Sequence, residues 1–387
     1  MNDIIGMIDQ EAEEPQERSL DPHGVSLPIY RPDLSGNERA YLLRCLETMN
    51  ISTGEFVTGF EEAFAAITGA RRAVSVSSGT AALHLSLHAL GICAGDEVIV
   101  PTFTFVATVN AVIQTGAKPI FADCDPDSWV IGPDNIEPCI TGQTRAIVVA
   151  HLYGAVCDVA AIQRMADRHG LLLIEDCAQA IGSTSQDRHV GRRGRVGTFS
   201  FYGNKTITAG EGGMIVTDDD DLAVRLRSLR NHAPSEDRRY WHTEPGFNYK
   251  MTNLSAAIGL AQIERLDATV ARKRQIAKAY RNGLGGLPLT FQKCNPAAES
   301  AEWLFSLLLP SNIDRGEILN AMLDDGVEAR PVFCCVHEMP PHSGGQRHPN
   351  AKRISQSGIS LPSYPSLSDT DVERVMDALS HAMRNAG

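Results

Sequence analysis

The 387-residue chain has nine cysteines but no Cys-x-x-Cys pair. Without paired spacing, neither a zinc-finger site nor a dithiol redox motif is indicated. An odd, scattered set of thiols suits a reducing compartment, where cysteine serves mainly as a small buried group. The chain also lacks an excess of positive charge: 35 Lys and Arg face 47 Asp and Glu, a net charge of -12. That balance argues against nucleic acid or an anionic membrane as the main partner. It leaves room for a phosphorylated small molecule, which a local cluster of N–H donors can hold on an acidic protein. No apolar run is long enough to span a bilayer. The opening segment MNDIIGMIDQEAEEPQERS has neither a basic start nor a continuous apolar centre. The expectation is a cytoplasmic protein. Two nucleotide fingerprints are missing as well. No Gly-x-Gly-x-x-Gly follows a strand-like run, and in Gly203-Asn204-Lys205-Thr206 the asparagine breaks the Walker spacing.

What is present is an alternation of strand-like and helix-like segments. Apolar, often β-branched runs lie at 73–78, 97–101, 118–123, 145–154, 171–176, 197–202 and 213–218. Helical patterns such as TAALHLSLHAL, FVATVNAVIQTG and DVAAIQRMADRHG separate most of them. Strands apolar throughout and separated by helices predict an α/β fold with a largely parallel sheet covered on both faces. Only a loop separates the last two runs, so the pattern can break there. Residues 1–25 are acidic and free of aromatics, which predicts a mobile tail. The segment Tyr240 to Met251 is irregular and aromatic, and one long helical pattern then runs from 253 to 280. Further apolar and helical segments follow to the end. The expected organisation is a large domain over 26–270 and a smaller α/β domain over 271–387.

The most informative stretch is SFYGNKTITAGEGG, Ser200 to Gly213. It follows a strand-like run and holds one lysine, Lys205, among small and hydroxylated residues. Upstream, the run LLLIED ends on Asp176. A lysine able to form an imine and an acid at a strand end are the parts needed to hold pyridoxal phosphate (PLP). The acid keeps the pyridine nitrogen protonated, so that the ring acts as an electron sink. Four further features suit the same ligand. The turn Ser77-Ser78-Gly79-Thr80 joins a strand to a helix, where free N–H groups and the helix dipole favour a phosphate; an ordinary N-cap would have the same composition. Phe105 could cover a cofactor ring or simply pack in the core. Asp176 and Gln179 follow an apolar strand at its carboxyl end, where open α/β sheets bind ligands. Ser200 could offer a hydroxyl to the phosphate. His84 and His88 stand at i, i+4 on one helical face, but no acidic or cysteine partner accompanies them, and packing is the simpler reading. No metal is expected.

Taken together, these segments resemble the DegT-type PLP-dependent sugar-nucleotide aminotransferases. The likeness runs through GEFVTGFEEAFA, SVSSGTAALHLSL, GDEVIVPTFTFVATVNA, VAHLYG, IEDCAQAIGS, FSFYGNKTITAGEGG, FNYKMTNLSAAIGLAQIERLD, ARPVF and ISLPSYP. It implies PLP fold type I, with a mostly parallel seven-stranded sheet and a smaller C-terminal α/β domain. It implies Lys205 as the cofactor-bearing lysine and proton shuttle, Asp176 at the pyridine nitrogen, Gln179 near O3′ and Phe105 on the ring. Gly79, Thr80 and Ser200 would hold the phosphate. Asn248 would reach the cofactor of a neighbouring subunit, so a homodimer with shared active sites is implied. The amino donor would be glutamate and the acceptor a nucleotide-linked keto-sugar. The YGNKTIT-GEGG, RPVF and VH-x-MP segments most resemble the branch that aminates C4 of GDP-4-keto-6-deoxymannose; the alternatives are UDP- or dTDP-linked sugars, or a regulatory protein that binds PLP or a sugar nucleotide without turnover. Arg330 and His337 are placed near the sugar nucleotide by the same likeness. A related dehydratase branch carries histidine in place of Lys205. Two departures stand out: Lys250 where the family usually has arginine, which removes a planar two-pronged donor, and Cys334-Cys335 in place of the expected Tyr-Pro.

Overall fold

The computed structural model describes residues 25–342 and 347–386. The predicted acidic tail lies outside the described residues apart from Val25. All seven apolar runs become strands of one sheet: β1 (Arg72–Val76), β2 (Glu97–Pro101), β3 (Lys118–Ala122), β4 (Thr144–Ala150), β5 (Leu172–Asp176), β6 (Val196–Ser200) and β7 (Gly213–Thr217). Their order is β1-β7-β6-β5-β4-β2-β3. The pairings of β2 with β3 and β4, of β4 with β5 and of β5 with β6 are parallel. Only β7 runs antiparallel, to both of its neighbours. A parallel return needs a long crossover, usually helical, and the loop 201–212 contains no helix.

Alternation along the strands explains why each run is apolar throughout. Val98, Val148 and Ile174 face one apolar cluster, together with the helices Gly79–Ala89 and Asp220–Leu229. Their neighbours Ile99, Ile147, Val149 and Leu173 face another, with the helix Val159–His169. Both faces of the sheet are therefore buried. A four-stranded antiparallel sheet follows, in the order Thr290–Phe291, Phe305–Leu308, Gly358–Leu361, Arg330–Pro331. It packs with the helices Leu266–Leu284, Arg315–Asp324 and Asp369–Asn385 around Tyr280, Phe305 and Leu379. Leu27 joins this second cluster and bridges to Val327, so the first described residues pack with the C-terminal elements.

The helical pattern expected over 253–280 is two helices, Asn253–Ile263 and Leu266–Leu284. At the break, Arg265 forks onto the Asp33 carboxylate at 2.8 and 3.1 Å. Glu264 accepts hydrogen bonds from Asn37 and Tyr41. Tertiary partners from the N-terminal segment thus meet the chain where local propensity would continue the helix. No described helix is long and apolar enough to cross a membrane. The cysteines carry free thiols.

Candidate active site

Because β1, β5 and β6 are parallel, their carboxyl ends deliver Ser77-Ser78, Asp176 and Ser200 to the same edge of the sheet. The lysine loop leaves β6 there and folds back on itself. Phe201 N–H donates to Gly212 O, Ala209 N–H to Phe201 O and Lys205 N–H to Tyr202 O, each at 2.9 Å. Gly79, Thr80, Phe105, Asp176, Gln179, Ser200 and Lys205 all line one cavity of about 340 Å³. Trp303 and Phe333 close it from the C-terminal part of the chain.

At one side lies the start of the helix Gly79–Ala89. The first four N–H groups of a helix have no partner within it. Here the Ser78 hydroxyl accepts from Ala81 N–H at 3.1 Å and the Ser78 carbonyl accepts from Ala82 N–H at 3.0 Å. The N–H groups of Gly79 and Thr80 remain, at the positive end of the helix dipole. Gly79 is required by its neighbour: a Cβ there would stand 2.7 Å from the Ser200 Cβ. We therefore expect Gly79→Ala to cost about 1–3 kcal/mol in a denaturant titration through overpacking. Gly203→Ala should stay within about 0.5 kcal/mol, because nothing lies within 4 Å of a Cβ at that position.

Two consecutive carboxyls end β5, and strand alternation sends them to opposite faces. Glu175 accepts from His151 Nε2 at 3.2 Å and from the N–H groups of Gly191, Arg193 and Gly194 at 2.8–2.9 Å. Burial opposes its ionisation, but these hydrogen bonds outweigh it and hold the carboxyl low. Cys177 lies close to the same pair. His151 Nδ1, however, accepts from Cys157 N–H, so the group is a packed anchor for the 191–194 turn. Asp176 instead faces the cavity, accepting from Thr108 Oγ1 at 2.8 Å and from Ala178 N–H at 3.1 Å. Burial pushes its carboxyl up, the Thr108 hydrogen bond opposing. A cation placed beside it would favour the charged form. Gln179 Oε1 accepts from Tyr153 N–H at 3.0 Å.

Lys205 lies across the cavity, its Nζ 4.2 Å from the centroid of the Trp303 ring. Burial lowers the amine to about 8, with attraction from Asp176 opposing the shift. Phe105 is 52% exposed and meets Phe333 at 5.7 Å between ring centroids. The donor set suits a phosphorylated pyridine. It combines free helix N–H groups beside a hydroxyl, a buried carboxyl wanting a cationic partner, and a lysine neutral enough to attack a carbonyl.

Four predicted residues stand apart from this cavity. Asn248 is exposed and bridges to Asn231, and exposed Lys250 donates to Asn231 Oδ1 at 2.6 Å. Arg330 pairs with Glu328 at 2.6 Å and lies over the Tyr30 ring. His337 does not face the cavity. It is buried, with Nδ1 2.5 Å from Thr102 Oγ1 and its ring against His348. His84 packs edge-on against Phe247 and Tyr249.

Residues 32–380 match the profile of the DegT/DnrJ/EryC1/StrS aminotransferase family. The chain belongs to that family. A GDP-perosamine synthase from Escherichia coli O157:H7 is 44% identical over 355 residues, 91% of this chain and 97% of that protein. Among solved structures, DesV from S. venezuelae superposes with a TM-score of 0.86 at 34% identity, covering 92% of this chain and 98% of that one. NtdA from Bacillus subtilis, solved with bound cofactor PMP, gives 0.84 at 30% identity, covering 91% and 83%.

In this aminotransferase two cavity-lining residues, Trp303 and Phe333, and Thr108, which holds Asp176, escape the sequence reading. Thr108 sits in the FVATVNA segment, where a threonine one turn after Phe105 is an ordinary helix residue. Trp303 and Phe333 come from the small-sheet region, far along the chain. The one available signal for Trp303 is a tryptophan opening an apolar strand, which is more often core.

Proposed function

We propose that this aminotransferase binds pyridoxal 5′-phosphate in the cavity beneath the lysine loop and forms GDP-perosamine. The amino group would pass from glutamate to C4 of GDP-4-keto-6-deoxymannose. The observation that carries the reading is the shared cavity in which Lys205 and Asp176 meet the free helix start at Gly79. The substrate rests on the 44% identity to a GDP-perosamine synthase. Bound there, the cofactor supplies a sink for the electron pair left when a proton leaves the amino-bearing carbon.

The chain's own residues supply the rest. The N–H groups of Gly79 and Thr80, with the Ser200 hydroxyl, bind the phosphate. Asp176 accepts the ring N–H, and Thr108 holds the carboxyl in place through Oδ2. Phe105 covers one ring face, and the Gln179 side-chain amide reaches the ring oxygen. Lys205 Nζ takes the proton from carbon and returns it; an amine near 8 changes protonation close to neutral pH and can do both. Asn248 serves the cavity of a second copy, which makes the working unit a homodimer with shared sites. Lys250, from the same exposed segment, Arg330 and His337 are assigned to the substrate. The division into a cofactor domain over 26–270 and a small domain over 271–387, and a cytoplasmic location, belong to the same reading.

A panel of nucleotide keto-sugars assayed with glutamate, following 2-oxoglutarate release, tests it. Turnover should be fastest with GDP-4-keto-6-deoxymannose, by roughly 10²-fold or more over UDP- and dTDP-linked keto-sugars if the site hydrogen-bonds the guanine edge. Clear activity on a UDP- or dTDP-sugar with none on the GDP-sugar would overturn the substrate assignment.

A further inference from the structure

Lys205 and Trp303 line two cavities at once: the large one described above and a second pocket of about 30 Å³ shared with Asn204 and Lys273. The indole is held firmly at this seam. Its Nε1–H donates to the carbonyl of Asn204, the residue just before the lysine, at 2.8 Å. The ring also stacks on Tyr153 at 5.8 Å and 18°. Tyr153 is itself fixed at both ends, its OH accepting from Phe333 N–H at 2.9 Å and its N–H donating to Gln179 Oε1 at 3.0 Å. A π-face is thus pinned 4.2 Å from the Lys205 amine. That amine forms no hydrogen bond or ion pair with any described residue.

We propose that Trp303 is a positioning residue that receives the Lys205 amine whenever it is not bonded to the cofactor, and that its ring face favours the protonated amine. The inference rests on Lys205 being the cofactor lysine. An ammonium over an indole face is attracted by the ring quadrupole, the more so where water is excluded. During amino transfer the lysine must leave the cofactor, wait within reach and carry one proton from carbon to carbon. The pinned indole gives the amine a place to wait and a reason to hold that proton.

Other groups around the amine are common to any test. Asp176, Glu211 and Tyr202 line the large cavity, and Arg31, Asp33, Lys273, Tyr30 and Tyr364 line the small one. Asp176 is the one among them whose charge acts on Lys205, favouring the ammonium against burial. Trp303 would add to Asp176, so its removal should make the amine less basic.

Apoenzyme mixed with PLP reports this without turnover, because only the neutral amine attacks the aldehyde and builds the visible band. For the wild type, the rate of band growth should rise with pH through a midpoint near 8. Trp303→Leu should move that midpoint down by about 0.5–1 pH unit, and Trp303→Phe by less, since the smaller ring keeps a weaker face. The ionisations of free PLP are the same in all three measurements. A midpoint that stays or rises in Trp303→Leu while the band still forms overturns the proposal; if that variant does not fold, an unmoved or raised midpoint in Trp303→Phe does so. A wild type that forms no band at any pH would instead remove the cofactor reading on which the proposal rests.

Discussion

Lys205→Ala should lose the visible band of the lysine-linked cofactor and more than about 10⁴-fold in kcat. Positioned acid–base groups contribute up to roughly that factor, and this variant loses covalent anchoring of the cofactor as well. The fold should survive, because the amine contributes only its contact with the Trp303 face and its attraction to Asp176. Its effect on stability has a definite sign. The amine is lowered to about 8 in the folded protein from an ordinary value of 10.5. Between those values the unfolded chain binds the proton more readily, so the wild type gains stability as pH rises through that window. At pH 7 the folded protein bears the cost of a desolvated ammonium, and the variant should unfold at an equal or slightly higher denaturant concentration. An inactive variant that is also strongly destabilised would mean the lysine is structural.

The second large effect is expected at Asp176. Asp176→Asn keeps an acceptor for the Thr108 hydroxyl, now 2.8 Å from Oδ2. It removes the negative charge that, in the proposed function, keeps the ring nitrogen protonated. Losing one preorganised electrostatic contact of this kind costs roughly 10²–10³-fold in kcat. Cofactor binding should weaken much less, since the phosphate contacts proposed for Gly79, Thr80 and Ser200 are untouched. Steady-state rates at saturating PLP, with the visible spectrum recorded in parallel, separate the two. A full band together with wild-type kcat would show that Asp176 does not meet the ring nitrogen.

The main sheet was legible because strands buried on both faces leave uninterrupted apolar runs, as at β4 and β5. The reversal at β7 was legible too, from a connection with no helix in it. The strands Thr184–Ser185, Arg188–His189 and Thr290–Phe291 carry only two residues each, too few for any periodicity. The helix break at Glu264-Arg265 coincides with Asp33, Asn37 and Tyr41, partners that a local window cannot see. The cavity divides in the same way. Lys205, Asp176 and the Ser78–Thr80 turn each sit at a strand end and announce themselves locally. Trp303, Phe333 and Thr108 reach the site only through tertiary packing. His337 shows the other side of this: its burial against Thr102 and His348 is tertiary packing that no local window reveals.

A second buried amine gives the central claim a direct rival. Lys273 donates to Ser363 O at 2.6 Å, is lowered by burial to about 7 and lines the small pocket beside Lys205. By basicity alone it is at least as good a nucleophile at neutral pH; by position it lines the small pocket and not the cavity of the helix start and Asp176. Borohydride reduction of the PLP-loaded enzyme, followed by peptide mapping, decides between them. The phosphopyridoxyl label should fall on Lys205, within the segment from Ser200 to Gly213. A label on Lys273 or on any other lysine would contradict the account.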